Sequence, residues 1–374
     1  MNTGFVYRRI SFRTVFANDI LKEAQTAWLQ YMDRFGYDKN VYNTKSIVDL
    51  VKEHRAGGKK VFPKNIDVVT GGFPCQDFSV SGKRLGFESN KDHTGKLRED
   101  DEASEETRGK LYYWMKQVID ITRPKIFIAE NVKGLVNLGD VKSIIQRDFA
   151  HAAGDGYIVL DPQVLHAGNY GVPESRERVI FIGIRKSALK VKALRALQEE
   201  KIPKAYDPYP SPTHACTVED KKLLPPVVCR DVFVGLEEPD RTEDPSQRYY
   251  SQAKYMGAHC QGQKEIALDN IGPTIRSEHH GNIEYRRLSR EHGGIITEEL
   301  DAGLQERRLT PRECALIQTF PPDYTFVSHK KNSTRFELSA SGAYKVIGNA
   351  VPPVLAYHIA NRIQTLWPLY FKKR

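Results

Sequence analysis

Cys75 stands in the run Gly-Gly-Phe-Pro-Cys-Gln over residues 71–76, just after the apolar stretch Ile66-Asp-Val-Val-Thr70. A thiol at the end of a strand-like run, behind a Gly-Gly turn, acts as a nucleophile when its pKa is lowered or a base stands beside it. Glu130 follows a second such run, Pro124-Lys-Ile-Phe-Ile-Ala129, and Arg176 and Arg178 precede a third, Val179-Ile-Phe-Ile-Gly-Ile184. Thiol, carboxyl group and paired guanidinium groups suit covalent addition to an electron-poor ring. The thiol attacks, the acid meets the ring edge, and the cations support developing charge. Each residue alone has a plainer reading: a turn beside a buried thiol, a helix cap, an exposed strand edge.

The elements that must position these groups alternate. Thr14-Val-Phe-Ala17 predicts a strand and Leu21 to Tyr31 the helix after it; 66–70 is a second strand. Leu111 to Thr122 predicts a helix, 124–129 a third strand, and 179–184 a further one. Strands alternating with helices point to a wound α/β sheet, in which working residues gather beyond the carboxyl ends of strands. Asp19, Cys75 and Glu130 each lie just past one. From 186 to 307 the pattern gives way to prolines and short irregular runs, a loop-rich module. Helical spacing returns at Thr310, where Thr-Pro-Arg-Glu forms a cap and first turn, and a last helix spans Pro353 to Trp367.

The 374 residues suffice for a large domain and a smaller one, and 40% hydrophobic with 28% charged content is that of a globular chain. No apolar stretch is long enough for a bilayer, and the N-terminus lacks a signal-peptide core, so a cytoplasmic, membrane-free protein is expected. Five separated cysteines (75, 216, 229, 260 and 314) form no Cys-x-x-Cys pair and imply free thiols without a metal site. Cys314 reads as a core residue, as do Cys216, Cys229 and Cys260. A net charge of +9 suits a polyanionic partner. Residues 186–307 carry 18 Lys/Arg against 20 Asp/Glu, so the excess lies in the flanking segments. Six acids in the eight residues Glu99 to Glu106 read as a solvated loop.

Methylating carbon 5 of cytosine needs this kind of set, because that carbon becomes nucleophilic only after a thiolate adds to carbon 6. Gly72-Phe-Pro-Cys-Gln-Asp-Phe-Ser79, Glu130-Asn-Val132 and Arg176-Glu-Arg178 follow one another in the order found in bacterial DNA (cytosine-5)-methyltransferases, and the chain resembles that family from about residue 15 to 360. The resemblance implies Cys75 as nucleophile, Glu130 on nitrogen 3 and the exocyclic amine, and Arg176 and Arg178 supporting base and thiol; Glu174 stands where the family has Gln. It implies S-adenosyl-L-methionine as cofactor, held by Asp19 and Ile20, Ile47 beside Ser46, Pro74, Leu111 of Arg108-Gly-Lys-Leu111, and Asn349 and Ala350 of Gly348-Asn-Ala-Val351. Arg308-Leu-Thr-Pro-Arg-Glu-Cys-Ala315 matches a structural motif.

The same resemblance implies a catalytic domain from 1–185 and 308–374, with a target-recognition domain over 186–307. Double-stranded DNA is the implied partner, with a base flipped into the pocket. The DNA-facing candidates are Gln76, Ser79, Thr274, Arg276, His279 and Arg286. Ser79 to Arg108, with Gly82 and Gly86, is similar to the family's closing loop. A monomer in a restriction–modification system, with a cognate restriction endonuclease encoded nearby, would follow. The implied fold is a Rossmann-like S-adenosylmethionine-dependent methyltransferase sheet plus a small irregular recognition domain. The family's opening strand and Phe-x-Gly-x-Gly loop have no counterpart before Asn18, since residues 1–13 contain only Gly4. A sheet without its first strand and Gly-rich loop is therefore expected, either through a shortened start or with a separate chain supplying that strand. A catalytically impaired DNA-binding protein and a tRNA cytosine-5 methyltransferase are the alternatives. Gln318-Thr-Phe-Pro321, in place of the RNA enzymes' Cys-Phe-Thr, and the long module favour DNA.

Overall fold

The computed structural model describes residues 12–37, 39–57, 60–73, 111–137, 140–277 and 283–372. Ala17–Asn18 (β1) leads into Lys22–Met32 (α1), then Tyr42–Asn43 (β2), Ile47–Arg55 (α2) and Val68–Gly72 (β3). Leu111–Thr122 (α3), Ile126–Val132 (β4), Val141–Ala150 (α4), Tyr157–Val159 (β5), Gln163–His166 (β6) and Glu177–Arg185 (β7) complete the first half. The main sheet has the order β3-β4-β7-β5, with β6 also paired to β7. β3 runs parallel to β4, with Gly72 opposite Glu130, whereas β4 and β7 are antiparallel, with Glu130 opposite Ile180. Val179 to Ile184 are all buried, because β7 lies inside the sheet with helices on both sides.

β1 and β2 form a separate parallel pair. The expected strand over 14–17 shrinks to two residues because only Ala17 and Asn18 have a partner strand; the Thr14 amide donates instead to the Tyr37 hydroxyl. The helices α2 and α3 pack together through Val48, Leu50, Val51 and Trp114, with Phe16 and Phe62 against them.

The middle region does not separate where the composition changes. Val191–Leu197 (α5) buries Ala193 and Leu197, and with Tyr209 they share one core with Leu355, Ile359 and Ile363 of the last helix. Residues 186–209 thus belong to the main body, held by apolar burial that proline spacing does not reveal. Beyond them lie Cys229–Val232 (α6), Pro245–Arg248 (α7), Tyr285–Arg287 (β8) and Thr297–Asp301 (α8), then Arg307–Arg308 (β9), Pro311–Ile317 (α9) and the hairpin Ser328–His329 (β10) and Phe336–Leu338 (β11). Ala340–Asn349 (α10) and Pro353–Tyr370 (α11) end the chain. Ile266, Ile275 and Ile283 of the loop-rich module share a core with Cys314, Phe326 and Tyr344 of the returning segment. Cys229 and Cys314 are buried as expected, but Cys216 and Cys260 are only half-buried. Among the described residues no helix is long and apolar enough to cross a membrane.

A buried ionic lattice ties module to return. Thr310 and Glu313 form the anticipated capping box, and Glu313 also takes two hydrogen bonds from Arg307, at 2.8 and 2.9 Å. Arg307 and Arg287 both reach Glu238. Burial alone would raise the Glu238 pKa, but bonds and charge from Arg307 and Arg287 outweigh it and bring it down to about 2. Its stabilisation is therefore present above the ordinary value of 4.5 and is lost as pH falls towards about 2. Glu313→Ala leaves Arg307 short of a buried partner and removes a cap. A loss of about 3 kcal/mol in unfolding free energy is expected, read as a lower urea midpoint at unchanged slope. Glu313→Gln should lose less; an alanine variant within about 0.5 kcal/mol of the unmodified chain would show that the lattice is not stabilising.

Candidate catalytic site

The carboxyl ends of β3 and β4 lie side by side, so Gly72 faces Glu130 across the ladder. The Glu130 carboxylate lies close over that glycine: a Cβ on residue 72 would stand 2.9 Å from its Oε2 and push the carboxylate aside. Arg178, at the start of β7, places its Nε 2.7 Å from Glu130 Oε1. Burial raises the Glu130 pKa, against the opposing pull of Arg178 and then Arg176. Asn131 is buried, and its amide donates to the Phe73 carbonyl at 3.1 Å, which fixes the chain leaving β3. That anchoring role was not singled out from the sequence, although Asn131 lies inside the Glu-Asn-Val run.

Cys75, Pro74, Gln76, Ser79 and His279 lie outside the described residues, as does the side chain of Leu111. The structure thus brings Glu130 and Arg178 together, and it puts Arg176 to a different use. The guanidinium of Arg176 is buried and donates to the Ile275 and Gly348 carbonyls at 2.8 Å and to Ala350 at 2.9 Å. Its charge still reaches Glu130, so the residue is at once a main-chain anchor and part of that carboxyl group's surroundings.

On the expected DNA side, the Thr274 hydroxyl donates to the Ser175 carbonyl, and Arg276 pairs with Glu284 at 2.8 Å. Arg286 departs from the expected base-reading role. Its side chain is buried, paired with Glu299 and near Glu313, with the guanidinium over the Phe233 ring. Desolvation is affordable there only because two carboxylates stand close, so this arginine belongs to the ionic lattice.

Of the residues expected to hold a cofactor, Asp19 and Ile20 follow β1 and Asn349 ends α10. Asp19 accepts from the Leu21 amide at 2.9 Å, and burial raises its pKa against that bond and the charge of Lys345 on α10. That bond lies in the turn before α1, whose N-cap is Leu21, and it still leaves acceptor capacity on a carboxylate. Ile20 beside it is 52% exposed, and Asn349 is exposed at the end of α10. A partly desolvated carboxylate next to a bare apolar side chain fits a ribose and a flat base. Ser46 caps α2, its hydroxyl accepting from Val48, while Ile47 lies half-buried against the α2–α3 core.

The family model described as C-5 cytosine-specific DNA methylase matches residues 1–365. The Type II methyltransferase M.BsuRI of Bacillus subtilis is 30% identical over 360 residues, covering 94% of this chain and 68% of that protein. M.BspRI of Lysinibacillus sphaericus, another Type II methyltransferase, is 31% identical over 96% of this chain and 72% of its own length. The Entamoeba histolytica methyltransferase EhMeth shares the fold with a TM-score of 0.56 at 14% identity, over 96% of this chain and 90% of that one. An acid and an arginine paired at adjoining strand ends, within a chain so matched, place this protein in the C-5 cytosine-specific DNA methylase family.

Proposed function

We propose that this chain methylates carbon 5 of cytosine within a specific short sequence of double-stranded DNA, using S-adenosyl-L-methionine. The observation that carries this reading is the Glu130–Arg178 pair of 2.7 Å beside Gly72, because Cys75 follows Gly72 by only three residues. Three residues span at most about 11 Å of chain. The thiolate of Cys75 adds to carbon 6 of a flipped cytosine, forming a sulfur–carbon bond. Glu130, fixed by Arg178, meets nitrogen 3 and the amine as charge develops there. Bound S-adenosylmethionine supplies an electrophilic methyl group. Carbon 5 takes that methyl, then loses its proton to a base, and the thiol leaves as the ring double bond returns. Asp19, Ile20, Ile47, Asn349 and Ala350 would hold the methyl donor.

The segment from about 210 to 307 serves as the recognition module, with Thr274 and Arg276 nearest its DNA-facing thread. The separate β1–β2 pair supports the reading that the family's first strand is absent from this sheet. Among the described residues β1 and β3 each have a single strand neighbour, and both pairs are parallel. A DNA-binding protein without methyl transfer is the second reading, and this split sheet is what favours it.

Duplex DNA carrying 5-fluorocytosine separates the two. Fluorine at carbon 5 cannot leave as a proton does, so an active enzyme with S-adenosylmethionine stays covalently attached. A denaturation-resistant adduct is the expected result, and its absence with every duplex offered would overturn methyl transfer by this chain.

A further inference from the structure

Arg176 stands where three widely separated segments cross. One end of its guanidinium takes the Ile275 carbonyl; the other takes Gly348 and Ala350. Glu174, two residues earlier, accepts from the Ile275 amide at 2.7 Å and lies 3.4 Å from Arg176 Nη1. The pair therefore grips both main-chain polar groups of one residue. Its side chains are 1% and 0% exposed, so water does not compete for these bonds.

The gripped segments touch directly. Gly272 donates to the Pro173 carbonyl at 2.9 Å, and Ser175 donates back to Gly272 at 2.8 Å, zipping the thread 272–276 onto the lead-in of β7. Gly348 packs so closely on the peptide joining Arg276 to Ser277 that a Cβ there would overlap it. On one side of Arg176 lie Thr274 and Arg276; on the other lie Asn349 and Ala350. Two residues further on, inside β7, Arg178 holds Glu130. Glu174 Oε2 and Arg176 Nε are buried without hydrogen-bond partners among the described residues.

We propose that Arg176, oriented by Glu174, is a positioning residue that couples the methyl-donor segment 348–350 to the DNA-facing thread 272–276. Each ligand then strengthens the binding of the other by the same factor, as linkage requires. This inference rests on the methyltransferase reading above. A lysine at 176 keeps the charge but cannot span three carbonyls in two directions, so charge alone does not replace the clamp.

The test measures affinity of the full chain for duplex DNA by fluorescence anisotropy, with and without saturating S-adenosylhomocysteine. The ratio of the two dissociation constants is the coupling factor. About tenfold is expected for the unmodified chain. Arg176→Lys should bring the factor close to one, while Glu174→Gln, whose amide oxygen keeps both acceptor roles, should retain most of it. An unchanged factor in Arg176→Lys would overturn the proposal, even if both affinities fell in parallel, because that is the signature of a purely structural residue. Should Arg176→Lys fail to fold, hydrogen exchange on the unmodified chain decides. S-adenosylhomocysteine alone should slow exchange in 272–277, and DNA alone in 347–351; no such cross-protection overturns the coupling. A chain that binds both ligands without coupling sinks this inference alone, whereas one that binds neither sinks the methyltransferase reading with it.

Discussion

Cys75→Ser is expected to abolish the covalent adduct with 5-fluorocytosine duplex and to lower methyl transfer by at least ~10⁴-fold. A hydroxyl is a far weaker nucleophile than a thiolate at neutral pH, and nothing else among the implied groups can open the ring for attack. Single-turnover transfer of labelled methyl from S-adenosylmethionine to duplex DNA measures the loss. Binding of DNA by the serine variant should survive, since the substitution exchanges one sulfur atom for oxygen and leaves the rest of the chain unchanged. A serine variant that still formed the adduct would assign the nucleophile to another thiol. Cys229 and Cys314 are poor substitutes: burial pushes the first up to about 12 and the second well above its ordinary value.

Removing the Glu130 carboxyl group should cost about 10²–10³-fold in the rate of methyl transfer, the range seen when one preorganised transition-state partner is deleted. Glu130→Ala also takes away the carboxylate that lies 2.7 Å from Arg178 Nε. The pH dependence carries a sharper signature. Burial raises the Glu130 pKa above 4.5, so folding favours its protonated form. The associated stability is fully present below 4.5 and is lost as pH rises through the raised value. If the protonated acid donates to the ring, the rate falls over that same rise. Glu130→Gln, which donates at every pH, should remove this limb from the rate profile while lowering the plateau. A glutamine variant with the same pH profile would assign the limb to another group.

The elements around the candidate site were legible because short apolar runs and helical spacing are local patterns. The runs at 66–70 and 124–129 became Val68–Gly72 and Ile126–Val132, each starting two residues later than expected, 179–184 lies inside β7, and the helix expected over Leu111 to Thr122 has those bounds. A capping box at Thr310 is a local event, written in four neighbouring residues. What the residue order left out was partnership. The strand expected at 14–17 lost most of its length for want of a neighbour, and β7 turned out antiparallel to β4. Charge type did not tell Arg286 from a base-reading arginine either, since only Glu299 and Glu313 packed around it make it structural.

The sequence by itself determined the order of the candidate groups: a thiol three residues past Gly72, an acid late in the next strand, and arginines just before and inside a third. Tertiary structure alone decided what each arginine does. Arg176 and Arg178 are two residues apart and identical in charge, the first just before β7 and the second inside it. Arg178 meets Glu130, while Arg176 is sealed against main-chain carbonyls from 275, 348 and 350. The physical reason is that a guanidinium takes its role from the acceptors that folding brings to it, and those acceptors lie about 100 and 172 positions further along the chain.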